Sequence, residues 1–214
     1  MTSRLAFAPA AALVLLAQTA MGQSPAASET RIGPFLGANF TSWGGSDATG
    51  ATSHTSLGVG LQVQRALQGG VLLSSGVFYM GRGAEATDQG ILIVTKESYI
   101  EVPALVGYEL SRGRTRPYLM GGVQFGFKTS CKFEASSGGQ SSSINCDDSS
   151  LGLNMSSTDW ALVGGGGASF AVGHGTIGVD LRYALGMQNV EKSNDVKNRG
   201  FTVGASYMFP LGRH

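Results

Sequence analysis

The stretch TIGVDLRYALGMQ, Thr176 to Gln188, alternates strictly between two kinds of side chain. One face receives apolar side chains throughout, namely Ile177, Val179, Leu181, Tyr183, Leu185 and Met187. The opposite face receives small or polar ones, namely Gly178, Asp180, Arg182, Ala184, Gly186 and Gln188. A repeat of two residues is the repeat of a β-strand and not of a helix. The stretch therefore predicts a strand whose two faces meet different surroundings.

The same alternation recurs from Arg31 onward and predicts eight strands, near 31–43, 56–64, 71–83, 90–110, 116–128, 158–172, 176–190 and 200–210. The connections after the second, fourth and sixth strands are short, whereas those after the first, third, fifth and seventh are long and polar. This rhythm is typical of an all-β, eight-stranded antiparallel up-and-down transmembrane barrel. We expect a bulge or irregular pairing near Pro103, because proline donates no ladder hydrogen bond.

Composition indicates which face points outward. Charged residues make up only 14% of the chain, whereas a soluble surface carries roughly 25–35%. The face opposite the apolar one is mostly Gly, Ser, Gln and Ala, which suits the interior of a narrow barrel. Aromatic residues fall near strand ends, as membrane girdles do: Trp43, Tyr108, Phe127, Trp160, Tyr207 and Phe209. A soluble periplasmic lipocalin-like binding barrel, with its apolar side chains inside, is the alternative.

The first residues predict export. Arg4 precedes the mostly apolar run Leu5 to Ala17, and small residues follow at Ala20 and Gly22. This is the pattern of a signal peptide cleaved after Gly22, and the run is shorter than the roughly 20 residues of a spanning helix. We expect three parts: a signal peptide at 1–22, a short segment at 23–30 and the barrel domain at 31–214. The expected location is the cell outer membrane.

The two cysteines of the chain, Cys131 and Cys146, flank a segment rich in glycine and serine. In an exported protein such a pair predicts a disulfide. Closing a loop of this size lowers the entropy of the unfolded chain and so stabilises the fold by about 3 kcal/mol. Two thiolates without a nearby histidine do not make a zinc site. No motif predicts a metal or cofactor, and a net charge of +1 argues against nucleic acid as a partner.

Three charged residues are predicted to face the barrel interior: Glu101, Asp180 and Arg182. Charges in a low-dielectric interior must be paired to be tolerated, and eight strands enclose no wide aqueous channel. We therefore predict a luminal charge cluster that plugs the barrel. A selectivity constriction or proton path of a narrow pore is the alternative.

Other motifs carry little chemistry. The run GGGGAS, Gly164 to Ser169, lacks the helix and the Lys–Ser/Thr pair of a phosphate-binding loop, so we expect it to relieve crowding or to allow close backbone approach. His54 is placed in a serine-rich outer loop, His174 in a tight turn, and His214 ends the chain. No spacing supplies His54 with a nucleophile motif or an acid. We therefore interpret His54 as a solvated loop residue, with a lipid-modifying enzyme as the alternative.

The segments SYIEVPALVGYEL and RPYLMGGVQFGF resemble the PorT-like family of small outer-membrane β-barrels. The resemblance is carried by Tyr99, Glu101 and Pro103 in one strand and by Pro117, Tyr118 and Gly121 in the next. It implies a porin-family barrel of the outer membrane, whose members mostly lack a defined activity.

These observations together predict a structural or surface-interaction role without catalysis. The expected partners are outer-membrane lipid, the barrel-assembly machinery during biogenesis, and a possible extracellular ligand bound by the outer loops. Three alternatives stay open: a lipid- or lipopolysaccharide-modifying enzyme, a narrow pore, and the soluble binding barrel.

Overall fold

The computed structural model describes residues 28–88, 90–111 and 113–212, and within them the chain forms nine antiparallel strands. Their bounds are β1 Glu29–Gly44, β2 Thr52–Ala66, β3 Val71–Asp88, β4 Ile91–Glu109, β5 Thr115–Ser137, β6 Gln140–Asn145, β7 Thr158–Val172, β8 Gly175–Asn189 and β9 Lys197–Leu211. Two short 3-10 segments lie at Gln68–Gly70 and Ser149–Leu151. The predicted signal peptide, 1–22, lies outside the described residues. None of the described helices is long and apolar enough to span a membrane.

Eight of these strands close into a ring. Each pairs with its neighbour along the chain, β5 pairs directly with β7, and β1 pairs with β9 to complete the circle. The closing pair runs from Thr30 opposite Leu211 to Gly44 opposite Lys197. Strand β6 lies outside the ring and pairs only with the far end of β5. The predicted eight-stranded antiparallel up-and-down barrel is therefore confirmed.

The two ends of the barrel differ, and we call them the turn end and the loop end. The turn end holds the tight connections 67–70, 110–114 and 173–174 together with the start of β1 and the end of β9. The loop end holds the connections 45–51 and 190–196 and the hairpin of β5 and β6. If the turn end faces the periplasm, the loop end faces the outside of the cell.

Strands extend beyond the ring at the loop end, and here two predictions were wrong. The long connection predicted after the third strand is not a loop, because β3 and β4 stay paired up to Asp88 opposite Ile91. The long connection predicted after the fifth strand, which contains both cysteines, is also largely strand. Strand β5 continues to Ser137, and β6 pairs with this extension of β5. Strands β3, β4 and β5 have 18, 19 and 23 residues, well above the roughly 9–11 needed to cross a bilayer. The excess forms ordered hairpins beyond the barrel wall.

The outer wall is apolar, whereas the interior combines many polar side chains with two buried hydrophobic clusters. In β8, Ile177, Val179 and Leu181 point outward and are 38%, 44% and 50% exposed, whereas the intervening Asp180 and Arg182 are buried. The same outward face recurs around the ring, for example at Leu36, Leu57, Val77, Val106, Leu119, Leu162 and Val203. Buried polar side chains line the inside, among them Gln62, Gln64, Ser74, Gln124, Ser169 and Ser206. This arrangement contradicts the lipocalin-like alternative, which needs its apolar face inside.

The irregularity expected at Pro103 is found on one side only. Pro103 pairs regularly with Gln124 of β5, but the pairing with β3 is interrupted between Ala104 and Glu101. There Ser75 donates its hydroxyl to the Pro103 carbonyl at 2.7 Å. The shift of register between β4 and β5 lies further along, between Ser98 and Tyr99.

The four-glycine run lies within β7 and lets side chains fill the lumen. A Cβ at Gly167 would stand 2.7 Å from the Tyr118 hydroxyl oxygen and 2.2 Å from the Val179 carbonyl oxygen. Such contacts are shorter than van der Waals packing permits. Glycine at 167 therefore leaves the space that the Tyr118 ring occupies.

Candidate functional site

Arg82 is the centre of the polar interior. Its Nε donates to Glu101 Oε1 at 2.6 Å and its terminal nitrogen donates to Asp159 Oδ2 at 2.6 Å. The guanidinium carbon lies 5.0 Å from the centre of the Tyr99 ring, within the range of a cation–π contact. The side chain is only 6% exposed. Arg82 thus ties β3 to β4 and, across the lumen, to β7.

Two amides complete this layer. Gln124 Nε2 donates to Glu101 Oε2 at 2.8 Å, and Asn198 Nδ2 donates to Asp159 Oδ2 at 3.5 Å. The cavity beside them has a volume of about 20 Å³, which is room for about one water molecule. Side chains from five strands, β3, β4, β5, β7 and β9, therefore meet in the lumen at this level.

Two side chains of β1 also form hydrogen bonds with β3, although β2 lies between these strands in the ring. Asn39 donates through Nδ2 to the Gly81 carbonyl at 2.8 Å. Thr41 donates through its hydroxyl to the Gly83 carbonyl at 3.0 Å and accepts from the Gly83 N–H at 2.9 Å. These bonds join strands that are not neighbours in the ring.

A second layer lies nearer the turn end. Arg182 contacts Asp180 at 2.7 Å, and the Tyr118 hydroxyl donates to Asp180 Oδ2 at 3.4 Å. The Arg182 guanidinium also lies 5.3 Å from the ring centre of Phe35 and 5.8 Å from that of Phe78. The two rings pack edge to face at 5.0 Å. Charge and aromatic surface together fill this section of the barrel.

A third layer closes the turn end. Arg31, almost fully buried, contacts Glu29 at 2.7 Å and lies 3.9 Å from Glu109. Arg116 lies 3.9 Å from Glu29 as well. Charged side chains therefore cross the lumen at three successive heights.

The structure places Glu101, Asp180 and Arg182 in the interior, but not as one cluster. Glu101 pairs with Arg82 in the first layer, whereas Asp180 and Arg182 pair with each other in the second. The sequence reasoning missed Arg82, although its even spacing from the inward-facing Phe78 and Met80 is a signal that could have found it. The motif residues Tyr99, Glu101 and Pro103 are all buried on the inward face of β4.

The cysteines lie above this polar core. Cys131 of β5 and Cys146, which follows β6, form a disulfide, and both are buried. The disulfide pins the base of the β5–β6 hairpin at the loop end. Within the described ranges, no three His, Cys, Asp or Glu side chains are grouped so that they could hold a metal ion.

The two histidines that the structure describes, His54 and His174, lie at opposite ends of the barrel. His54 lies in β2 and not in a loop, as the sequence had predicted, because the β2–β3 ladder reaches Thr52 opposite Glu85. Its Nδ1 is 2.9 Å from Glu85 Oε1, an acid that no spacing revealed. Ser56 donates its hydroxyl to the Gly81 carbonyl instead. His174 lies in the turn between β7 and β8, and His214 is outside the described residues.

Two outer loops, 45–51 and 190–196, are joined by hydrogen bonds of the Asp47 and Asp195 carboxylates, and we call this contact the Asp195 clasp. Asp195 Oδ2 accepts from the Ser46 N–H at 3.3 Å, and the Asp195 N–H donates to Asp47 Oδ2 at 2.8 Å. Lys197 also donates to Asp195. The hydrogen bond from Lys197, followed by that from Ser46, holds the pKa of Asp195 below its ordinary value.

Acid should open this clasp. A carboxyl whose folded pKa lies below its unfolded value stabilises the fold above the unfolded pKa, and that contribution is lost as pH falls through the folded pKa. We therefore expect hydrogen-exchange protection of the Ser46 amide to fall as the pH is lowered from 7 to 3. Asp195→Asn should remove this pH dependence at Ser46. The Ser150 amide donates to Asp148 in another segment, and this hydrogen bond likewise holds the pKa of Asp148 below its ordinary value. Ser150 should therefore keep its own pH dependence in Asp195→Asn; loss of the pH dependence at both amides in that variant would contradict the clasp.

Comparisons with known proteins agree with the geometry. A model of the outer membrane protein beta-barrel domain matches residues 8–209. The solved structure of neisserial surface protein A is similar, with a TM-score of 0.50 and 15% identity over 85% of this chain and 97% of that one. The Yersinia pestis attachment invasion locus protein has a TM-score of 0.44 and 19% identity over 85% of this chain and 99% of that one. At 15% identity the likeness to neisserial surface protein A concerns the fold alone. No curated protein matches by sequence.

Proposed function

The chain belongs to the outer membrane protein beta-barrel domain family and resides in the outer membrane, and from this premise we propose that it is a PorT-like barrel with a structural or surface-interaction role and no catalysis. The observation that carries the proposal is the contrast between the barrel interior and the loop end. Layered ion pairs close the lumen, while the loop end projects as ordered, cross-linked hairpins.

The closed lumen argues against transport through the barrel. Buried Arg82 lies between two carboxylates, each at 2.6 Å, and moving it aside would leave both of them buried without this counter-charge. Breaking a buried pair in this way costs several kcal/mol. We therefore expect the resting barrel to conduct no ions.

The loop end supports a role in surface interaction. Recognition surfaces concentrate on loops held by a rigid scaffold, and here the disulfide, the strand extensions and the Asp195 clasp hold them. The ligand we propose is extracellular. The outward apolar wall fits outer-membrane lipid as a second partner, and the barrel-assembly machinery is the partner expected during biogenesis.

Planar-bilayer recording tests the closed lumen. The purified, refolded full chain should produce no discrete conductance steps, because its luminal ion pairs stay intact. A large porin inserted under the same conditions is the positive control. Reproducible unitary steps from the wild-type barrel would replace this proposal with the narrow pore.

Complementation tests the loops, and lipid analysis tests catalysis. A deletion strain should show an envelope or surface-binding defect that the wild-type chain restores and that a variant with residues 133–144 replaced by a short glycine linker does not. Full restoration by that variant would refute the surface role of the hairpin. Lipid A mass spectra should be identical with and without the gene, and a changed spectrum would point to the lipid-modifying enzyme.

A further inference from the structure

A second cavity lies at the loop end, outside the three luminal layers. Its volume is about 170 Å³. The first outer loop, 45–51, forms one side of it and strands β3, β4 and β5 form the other. The Asp195 clasp described above holds that loop in place.

The size and lining of the cavity suit one small ring. An apolar cavity of about 150 Å³ in another protein is large enough to bind benzene. Here the apolar lining comes from Trp43, Ile93, Phe133 and several alanines, of which Ala84 is buried. Two aromatic side chains in the lining, Trp43 and Phe133, favour a flat apolar guest.

The polar groups of the lining restrict which ring would fit. The Trp43 Nε1–H is buried and has no hydrogen-bond acceptor among the residues that the structure describes. A buried donor without an acceptor costs about 1–3 kcal/mol, so a guest that supplies an acceptor gains affinity. Asp47 and Glu85 also line the cavity, and their negative charges disfavour an anion.

We propose that this cavity binds a small, uncharged, single-ring molecule that carries one hydroxyl group. The ring occupies the space between Trp43 and Phe133. The hydroxyl oxygen accepts a hydrogen bond from Trp43 Nε1–H, and the hydroxyl group donates its hydrogen to the Glu85 carboxylate. This binding site is separate from the structural role proposed above, and it needs no passage through the lumen.

The two tryptophans of the chain provide a direct test. Trp43 lines the cavity, whereas Trp160 points outward from β7 and is 40% exposed on the apolar wall. The full chain, labelled with ¹⁵N and held in lipid nanodiscs, is titrated with benzyl alcohol while both indole N–H signals are followed. The Trp43 signal should shift and saturate, and the Trp160 signal should change only linearly as the alcohol enters the lipid. Benzoate, of the same size but negatively charged, should not move the Trp43 signal.

Filling the cavity should abolish the effect. Ala84→Leu, from the strand side, and Ala48→Leu, from the loop side, should each weaken the saturable Trp43 shift at least tenfold; Ala48→Leu stands alone if Ala84→Leu does not fold. The matched control, Ala171→Leu, adds the same volume at an exposed position near the turn end of β7, far from the cavity, and should bind as the wild type does. The proposal is overturned if the Trp43 shift never saturates, if benzoate shifts it equally, or if a folded, cavity-filled variant keeps it.

Discussion

Replacing Arg82 with alanine is expected to lower the free energy of unfolding by about 3–5 kcal/mol, the range for breaking a buried ion pair by removing one partner. The loss arises because Glu101 and Asp159 stay in the interior while their common counter-charge, 2.6 Å from each, is gone. Urea unfolding of the barrel in lipid vesicles, followed by tryptophan fluorescence and by migration of unboiled samples on gels, measures the change.

Two control variants separate charge burial from lost packing. Lys96→Ala removes one partner of an exposed ion pair with Glu134 at 2.5 Å, and should cost only about 0–1 kcal/mol. A triple variant, Arg82→Met with Glu101→Gln and Asp159→Asn, should recover most of the lost stability because the two carboxylates that pair with Arg82 no longer carry a buried charge. If Arg82→Ala were as mild as Lys96→Ala, the luminal network would contribute nothing to stability.

Placing a charge on the outer wall should have the second large effect. Leu181 points outward from the middle of β8 and is 50% exposed. In water, Leu181→Arg would be nearly neutral, but at the bilayer midplane arginine costs about 2–4 kcal/mol. The same vesicle unfolding experiment should therefore show a clear drop in the urea midpoint.

Leu153 supplies the matched control for this change. It is 39% exposed but lies in the segment between β6 and β7 at the loop end. Leu153→Arg should alter stability by no more than about 0.5 kcal/mol, as surface substitutions usually do. Equal effects at positions 153 and 181 would mean that the outer wall does not contact hydrocarbon.

The ring strands could be predicted because their two faces differ so strongly. Between lipid and a packed lumen, apolar and polar side chains must alternate, so residues 176–188 identify both the strand and its orientation. Beyond the membrane that contrast fades. At the loop end of β4, outward Lys96 and inward Thr95 are both polar, and a pattern without contrast resembles a loop. This is why the β3–β4 extension and β6 were missed.

The site was predictable only in part for a related reason. Alternation placed Glu101, Asp180 and Arg182 inside, but it carries no information about which residues meet across the lumen. Arg82 and Asp159 are 77 positions apart and come into contact only because the ring closes. Partners of this kind follow from strand order and register, which no local pattern contains.

The pairing of β1 with β9 has a consequence for biogenesis. A chain that has received only its first eight strands would leave the edges of β1 and β8 unpaired, and exposed backbone N–H and C=O groups are not tolerated in hydrocarbon. The fold is also rich in contacts between distant parts of the chain, which slows folding. Membrane insertion is therefore unfavourable until the final strand has paired with β1. A truncated chain, whose two edge strands stay unpaired, should not insert.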